Sequence, residues 1–360
     1  MKPYYRDDQV TLWHGDALEV LRKLPGASVD CIVTSPPYYG LRDYDVAATQ
    51  WPEISYAPMP GMPEHTVPAM TCPLGMEADP AAYIGHLALI FAEARRVLAE
   101  DGTFWLNLGD SYAAKARGND AGWAKSRLTN PGRVQKAQAA SMRKTGERHR
   151  GKEAGIAEKN LLGIPWRAAF ALQAAGWVLR SDVIWAKPNC MPESVTDRPA
   201  SRHEHVFLFA KNTRYSFDLD AIREPHSEAT LTRATPGRAA PGKSRREGLG
   251  VPPGNRPHTA RLDQINHPHG RNPGNVWWIP TQPFSEAHFA VMPLGLAEQC
   301  VAASRRPSGG GWSSMCFPGR GPRAWPQRGM GCATSASTPP RRSWTSPCAP
   351  AWPKPGSSRT

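Results

Sequence analysis

Between Pro307 and Thr360 the chain has no leucine, isoleucine, valine, aspartate, glutamate, asparagine, tyrosine or histidine. Proline, glycine, serine, arginine, alanine, threonine, tryptophan and cysteine make up nearly all of it, and a segment of that composition cannot bury a core. It reads as disordered. Other absences narrow the field further. No apolar run approaches the length needed to cross a bilayer. The opening Met1-Lys2-Pro3-Tyr4-Tyr5-Arg6-Asp7-Asp8 is polar and charged, unlike a secretory leader. The seven cysteines (Cys31, Cys72, Cys190, Cys300, Cys316, Cys332 and Cys348) include no closely spaced pair, so reduced thiols and no metal site are expected. The expectation is a soluble cytoplasmic protein.

What is present in excess is positive charge. The net charge is +13, which favours a polyanionic partner, because counterion release drives cations onto nucleic acid. Seven of those charges lie in 307–360 with no acid to balance them, leaving +6 for the remainder. Many proteins carry that much, so charge by itself is weak support for nucleic acid.

The pattern of apolar residues alternates strands and helices. Val10-Thr11-Leu12-Trp13 predicts a strand ending at Gly15-Asp16, and Ala17–Leu24 a helix with Leu18, Leu21 and Leu24 on one face. Cys31-Ile32-Val33 is a second strand. Residues 45–80, rich in proline and methionine, show no sustained period and read as a surface insertion. Tyr83–Leu98 is helical in spacing, and Thr103–Leu108 is an apolar strand. Leu161–Ala175 predicts a helix, and Asp182–Ala186 and His205–Phe209 two strands close enough to pair. The division that follows is an α/β core over 1–222 with a basic, glycine-punctuated insertion at 113–159. A second basic stretch at 223–275 has the size of a recognition region, 276–306 returns to the core, and 307–360 is the tail. The 113–159 insertion suits a solvated loop or a clamp on phosphates equally well.

Asp30-Cys31-Ile32-Val33-Thr34-Ser35-Pro36-Pro37-Tyr38 is the most informative stretch. A brief apolar strand is stopped by two prolines, which bar ladder pairing and hold the backbone extended. A turn there offers a hydroxyl (Ser35), two carbonyls (Pro36, Pro37) and an aromatic face (Tyr38) to the crevice where open α/β sheets bind ligands. An isolated S-P-P-Y would more simply be a strand terminator. Here it follows Trp13-His14-Gly15-Asp16-Ala17-Leu18-Glu19-Val20-Leu21 and precedes Tyr39-Gly40-Leu41-Arg42-Asp43-Tyr44. Together these resemble the amino-methyltransferases of DNA, which methylate an exocyclic nitrogen of cytosine or adenine using S-adenosylmethionine. The likeness continues through Asn107-Leu108-Gly109-Asp110-Ser111-Tyr112, Leu161–Arg167, Asp182–Pro188, Pro192-Glu193-Ser194, Asp197-Arg198-Pro199, His203-Glu204-His205 and Ala287–Pro293, in the permuted order with the catalytic turn first and the cofactor segment last.

The resemblance implies a Rossmann-like sheet, S-adenosylmethionine as cofactor, and double-stranded DNA as partner. It also implies a prokaryotic or phage-encoded origin, with a cognate restriction endonuclease as a candidate companion. By the same resemblance Ser35 and the Pro36 carbonyl, flanked by Pro37, would accept from the target amine and expose its lone pair, while Tyr38 stacks an extruded base. Trp185 and Asp110 would belong to the target pocket, and Asp16, Phe289 and Pro293 to the cofactor site. Two of these have ordinary alternatives: Asp16 as a helix N-cap and Trp185 as a core residue. Serine at position 35 favours cytosine N4 over adenine N6. A catalytically dead DNA-binding remnant or pseudogene product is the rival from another class. A methyltransferase acting on RNA or protein is the third reading.

The family pattern then demands a strand of the type V-L-D followed by F-x-G-x-G, and a second strand ending in an acid for the ribose hydroxyls. Neither is present. Regrouping the codons of Gly311–Pro322 by one base permits V-V-L-D-V-F-S-G-S-G-T, and regrouping those of Gly329–Thr338 permits H-G-L-R-Y-V-G-I-D. The expectation is therefore an out-of-frame tail after Gly309-Gly310-Gly311, with two central strands missing between strand 10–14 and strand 31–34.

Overall fold

A computed structural model describes residues 3–7, 10–41, 47–113, 155–190, 192–228, 267–282, 292–305, 313–317 and 330–336. Its centre is a nine-stranded sheet in the order β1-β2-β13-β12-β3-β8-β10-β9-β11. In chain order the strands are β1 (Tyr5–Arg6), β2 (Val10–Gly15), β3 (Val29–Thr34), β8 (Leu98–Leu108), β9 (Val178–Ala186), β10 (His203–Ala210), β11 (Val276–Trp278), β12 (Ser313–Phe317) and β13 (Met330–Ala336). The remaining strands pair off in the 45–80 insertion: β4 (Thr49–Trp51) with β7 (Met70–Cys72), and β5 (Ile54–Tyr56) with β6 (His65–Val67). That insertion was expected to lack regular structure. Strands of three residues are too short to show a period, which is why the pattern missed them.

The helices form where caps and apolar spacing coincide. Helix α1 (Ala17–Lys23) starts at Asp16, whose carboxylate accepts from the N–H groups of Leu18 and Glu19, and ends with Arg22 and Lys23. Acid at the start and base at the end both suit the helix dipole. Helix α2 (Pro80–Val97) has Asp79 as cap and Pro80 in its first turn, where the missing N–H costs nothing. Helices α1, α2 and α3 (Ile164–Ala174) pack on one face of the sheet, around Leu21, Ile32, Tyr83, Leu98, Phe104 and Phe209. Helix α4 (Leu294–Ala303) covers the other face through Leu296, Cys300 and Ala303, against Cys31, Val33, Trp105 and Trp277. Strand β3, buried on both faces, needs its continuous apolar sequence.

One expectation is overturned here. The tail was read as forming no strand, yet β12 pairs parallel with β3 (Ser314 opposite Cys31 through Phe317 opposite Thr34). Strand β13 pairs with β12 and, antiparallel, with β2. Main-chain pairing is open to almost any sequence free of proline, and Ser313–Phe317 and Met330–Ala336 both lack proline. The central strands are therefore not missing. Their direction is informative. A parallel β12–β13 pair would need a crossover of a dozen or more residues, usually a helix, and Pro318, Pro322 and Pro326 in the connection do not suit one.

Strands β2, β12, β3, β8, β9 and β11 run in one sense, with β1, β13 and β10 against them. The carboxyl ends of the first group therefore share one edge of the sheet with the amino end of β10. Both basic insertions leave the core at narrow necks. Ala113 exchanges main-chain bonds with Lys159 and Asn160, and Glu224 does so with Arg271. Residues 114–154 and 229–266 lie outside the described residues. Among the described residues no helix is long and apolar enough to cross a membrane.

Candidate active site

Residues Ser35–Tyr38 leave the carboxyl end of β3 at that shared edge, and the turn is fixed from behind. The Tyr83 hydroxyl donates to the Pro37 carbonyl at 2.8 Å, and the Tyr39 hydroxyl to Ala78 O at 3.0 Å. Gly40 N–H donates to Gly75 O at 2.8 Å. Gly75 has φ +87°, and a β-carbon there would lie 3.0 Å from Tyr38 O, so glycine is required twice over. Below it, buried Glu77 accepts from Gly75 N–H at 2.8 Å and pairs with His86 Nδ1 at 2.8 Å, while Trp51 stacks on His86. The insertion at 45–80 is thus the scaffold of the turn. Cys72, Glu77 and His86 come close enough to hold a cation, but both Glu77 oxygens are already occupied by hydrogen bonds.

In front, the turn faces a cluster of polar side chains. Ser35 Oγ donates to the Tyr38 hydroxyl at 3.2 Å, and the Tyr38 hydroxyl donates to Glu204 Oε2 at 2.5 Å. Asn107 Nδ2 donates to both, at 2.7 and 2.9 Å. Lys187 Nζ is bonded to Glu204 Oε1 and lies 4.3 Å from the centre of the Trp185 ring. Gly109 makes room for Tyr38: a β-carbon there would come within 2.7 Å of Tyr38 Cε2. Asn107 Oδ1 is buried and has no hydrogen-bond partner among the described residues.

Each sequence-predicted residue can now be placed. Ser35, Pro36, Pro37 and Tyr38 stand together at the turn. Trp185 does not line an open surface; it is 3% exposed, donates through Nε1 to Ile279 O at 2.8 Å, and supports Lys187 from below. Asp110 is committed elsewhere as well. Its carboxylate accepts from the N–H groups of Ser111, Gly163 and Ile164 at 2.8, 3.1 and 3.0 Å, so it caps α3 and ties that helix to β8. Burial pushes its carboxyl above the usual aspartate range, against the opposing pull of those three N–H bonds. Asp16 sits at the end of β2 and caps α1. Both cap bonds fall on Oδ1, at 2.9 and 3.2 Å. Pro293 precedes α4, and Phe289 lies outside the described residues.

Glu204, Asn107 and Lys187 were not singled out as site residues from the sequence. Their signal was positional: each falls at a strand end on the same edge, at β10, β8 and β9.

The cofactor side of this edge fits only in part. Asp16 Oδ2, left unused by the cap, is an acceptor at the end of β2, and Pro293 borders α4. The acid that would complete such a site has no counterpart in 307–360, which contains no Asp or Glu, whereas Phe317-Pro318-Gly319-Arg320-Gly321 keeps an F-x-G-x-G spacing.

The chain is 37% identical to the Type II methyltransferase M.Cfr9I of Citrobacter freundii over 297 residues, 82% of this chain and 73% of that one. It is 38% identical to M.XycI of Xanthomonas campestris pv. cyanopsidis with the same coverage. The solved PvuII DNA methyltransferase (cytosine-N4-specific) shares 14% identity over 65% of this chain and 64% of that one, with a TM-score of 0.37. A sequence model described as DNA methylase, of the N6/N4 amino-methylating type, matches residues 29–311. The chain belongs to that family of S-adenosylmethionine-dependent DNA amino-methyltransferases.

Proposed function

We propose that this protein, with its reading frame intact, is a site-specific methyltransferase for the N4 amino group of cytosine in double-stranded DNA, working beside a cognate restriction endonuclease. The observation that carries the site is the orientation of Ser35. Its hydroxyl hydrogen is directed to Tyr38, which leaves the oxygen lone pairs to accept from an amine. With the Pro36 carbonyl as a second acceptor, the amino group would be held by its protons while its nitrogen lone pair is exposed. Tyr38, pinned at its hydroxyl and against Gly109, gives an extruded base a fixed ring to stack on. S-adenosylmethionine, when bound, supplies the methyl group as a sulfonium. Cytosine is supported by the neutral hydroxyl at position 35, where adenine-directed relatives more often carry Asp or Asn. Mass spectrometry of nucleosides from treated DNA tests it: N4-methylcytosine is expected, and N6-methyladenine alone overturns the assignment.

We also propose that residues from about Gly309 onward are read out of frame, and that the chain as it stands is impaired in cofactor binding. The family match ends at residue 311, beside the run Gly309-Gly310-Gly311. Beyond it the V-L-D strand and the required acid are absent, although one shifted frame permits both. The strands β12 and β13 count against this reading, since an out-of-frame tail was expected to supply no central strand; what still supports it is the absence of any acid from 307–360. Titration with S-adenosylmethionine should show no binding by the present chain and restored binding after deletion of one base in codons 309–311. Micromolar binding by the present chain refutes the impairment.

A further inference from the structure

Methyl transfer to an exocyclic amine leaves a positively charged nitrogen that must shed a proton. The site contains a continuous path for it. Three groups stand in series: Ser35 Oγ–H to Tyr38 Oη at 3.2 Å, and Tyr38 Oη–H to Glu204 Oε2 at 2.5 Å. The donor directions all point away from the place where the amine would lie. Glu204 is the carboxylate that Tyr38 Oη–H reaches, and its side chain is 15% exposed, enough to pass a proton on to water. Its second oxygen is held by Lys187, and Asn107 donates to both Tyr38 and Glu204, so the path has one geometry.

We propose that Glu204 is the terminal proton acceptor of the reaction, working through Tyr38 and Ser35; the proposal rests on the methyltransferase reading above. The balance is closed. As the N–H bond of the methylated amine breaks, its proton goes to Ser35 Oγ. The proton already on Ser35 moves to Tyr38 Oη, and that on Tyr38 to Glu204 Oε2. A cationic amine and a carboxylate become a neutral methylamine and a carboxylic acid, with no change in oxidation state. Glu204 then returns its proton to solvent before the next turnover. Tyr38 thereby has two separable roles, its ring as platform and its hydroxyl as relay.

Single-turnover methyl transfer measures this, using whichever of the present and frame-restored chains methylates DNA. Tyr38→Phe keeps the ring and breaks the relay, and Glu204→Gln keeps the shape and removes the acceptor. Each should lower the rate by about 100-fold, the lower range of acid–base contributions, while affinity for DNA is unchanged. The double variant should be no slower than the slower single one, because both cut the same path, and Glu204→Asp should recover part of the rate. A full rate in Tyr38→Phe, or losses that multiply in the double variant, would overturn the relay while leaving the methyltransferase reading in place. If neither parent chain transfers methyl to DNA, both readings fall together.

Discussion

The two halves of the sheet are built from different kinds of sequence. From β3 to β9 the strands are locked by side chains: Ile32, Phe104, Leu106, Phe207 and Phe209 are all fully buried, and Phe104 packs on Phe91, Trp177 and Phe209 with ring centroids 4.9 to 5.6 Å apart. Between β2 and β3 lie β12 and β13, built from Ser-Ser-Met-Cys-Phe and Met-Gly-Cys-Ala-Thr-Ser-Ala and joined to main-chain ladders on either side. The difference separates two requirements that normally coincide. A gap between strands can be filled by any segment without proline, but a binding floor needs particular residues. The first half carries the S-P-P-Y turn and the polar cluster in front of it, and the second carries main-chain pairing in a stretch that contains no Asp or Glu.

The largest effect that could break this contrast is in the packed half. Phe104→Ala should cost about 3–5 kcal/mol, as expected for removing a fully buried aromatic, read as a drop in the urea midpoint. A loss below about 1 kcal/mol, the range typical of tolerant sites, would put the two halves on the same footing. Next comes the support beneath the turn. Glu77→Ala leaves the Gly75 N–H and His86 Nδ1 without a partner in a buried place, at about 1–3 kcal/mol for each orphaned group. It should also slow methyl transfer by loosening Pro37, so stability and rate should fall together in this variant.

Asp110 sharpens the contrast through pH. Burial raises its folded-state pKa above the unfolded one. The stability linked to its protonated form is therefore present at low pH and is lost as pH rises through the folded value. Asp110→Asn cannot titrate. Its stability relative to the parent should increase as pH rises through the carboxylate range, whatever the constant cost of changing one acceptor. A pH-independent difference in urea midpoint would show that the carboxyl is not shifted.

Much of this was legible in the residues. The start of α1 and the end of β3 followed from Asp16 and from the run ending at Ser35-Pro36, because caps and prolines act locally. The S-P-P-Y turn could be found for the same reason. Glu204 and Lys187 could not be assigned a task, since what gives them one is the antiparallel return of β10 beside β9, which brings residue 204 against residue 185. Asp110 and Trp185 show the same limit. Their residue types suit a pocket, and only the position of α3 and the chain after β11 shows that their polar atoms are already occupied. In the tail, composition argued against a core, and composition is silent about main-chain pairing with neighbours that already exist.

The smallest effect concerns Asp16, where cap and cofactor meet. Both cap bonds fall on Oδ1, so Asn in its place keeps the cap and exchanges Oδ2, an acceptor, for an amide NH2, a donor. Asp16→Asn should leave the urea midpoint unchanged, while Asp16→Ala should lower stability by about 1 kcal/mol, the usual loss for an N-cap. In the frame-restored chain both should weaken S-adenosylmethionine binding, because each removes the acceptor that the cap leaves spare. If Asn binds the cofactor as tightly as Asp, the residue serves only α1, and the cofactor side of the sheet loses the one polar contact that the present residues offer it at the end of β2. If Asn keeps stability but loses binding, a single side chain has been resolved into two oxygens with two tasks, one structural and one chemical. That is the same separation which, over larger distances, distinguishes the two halves of the sheet.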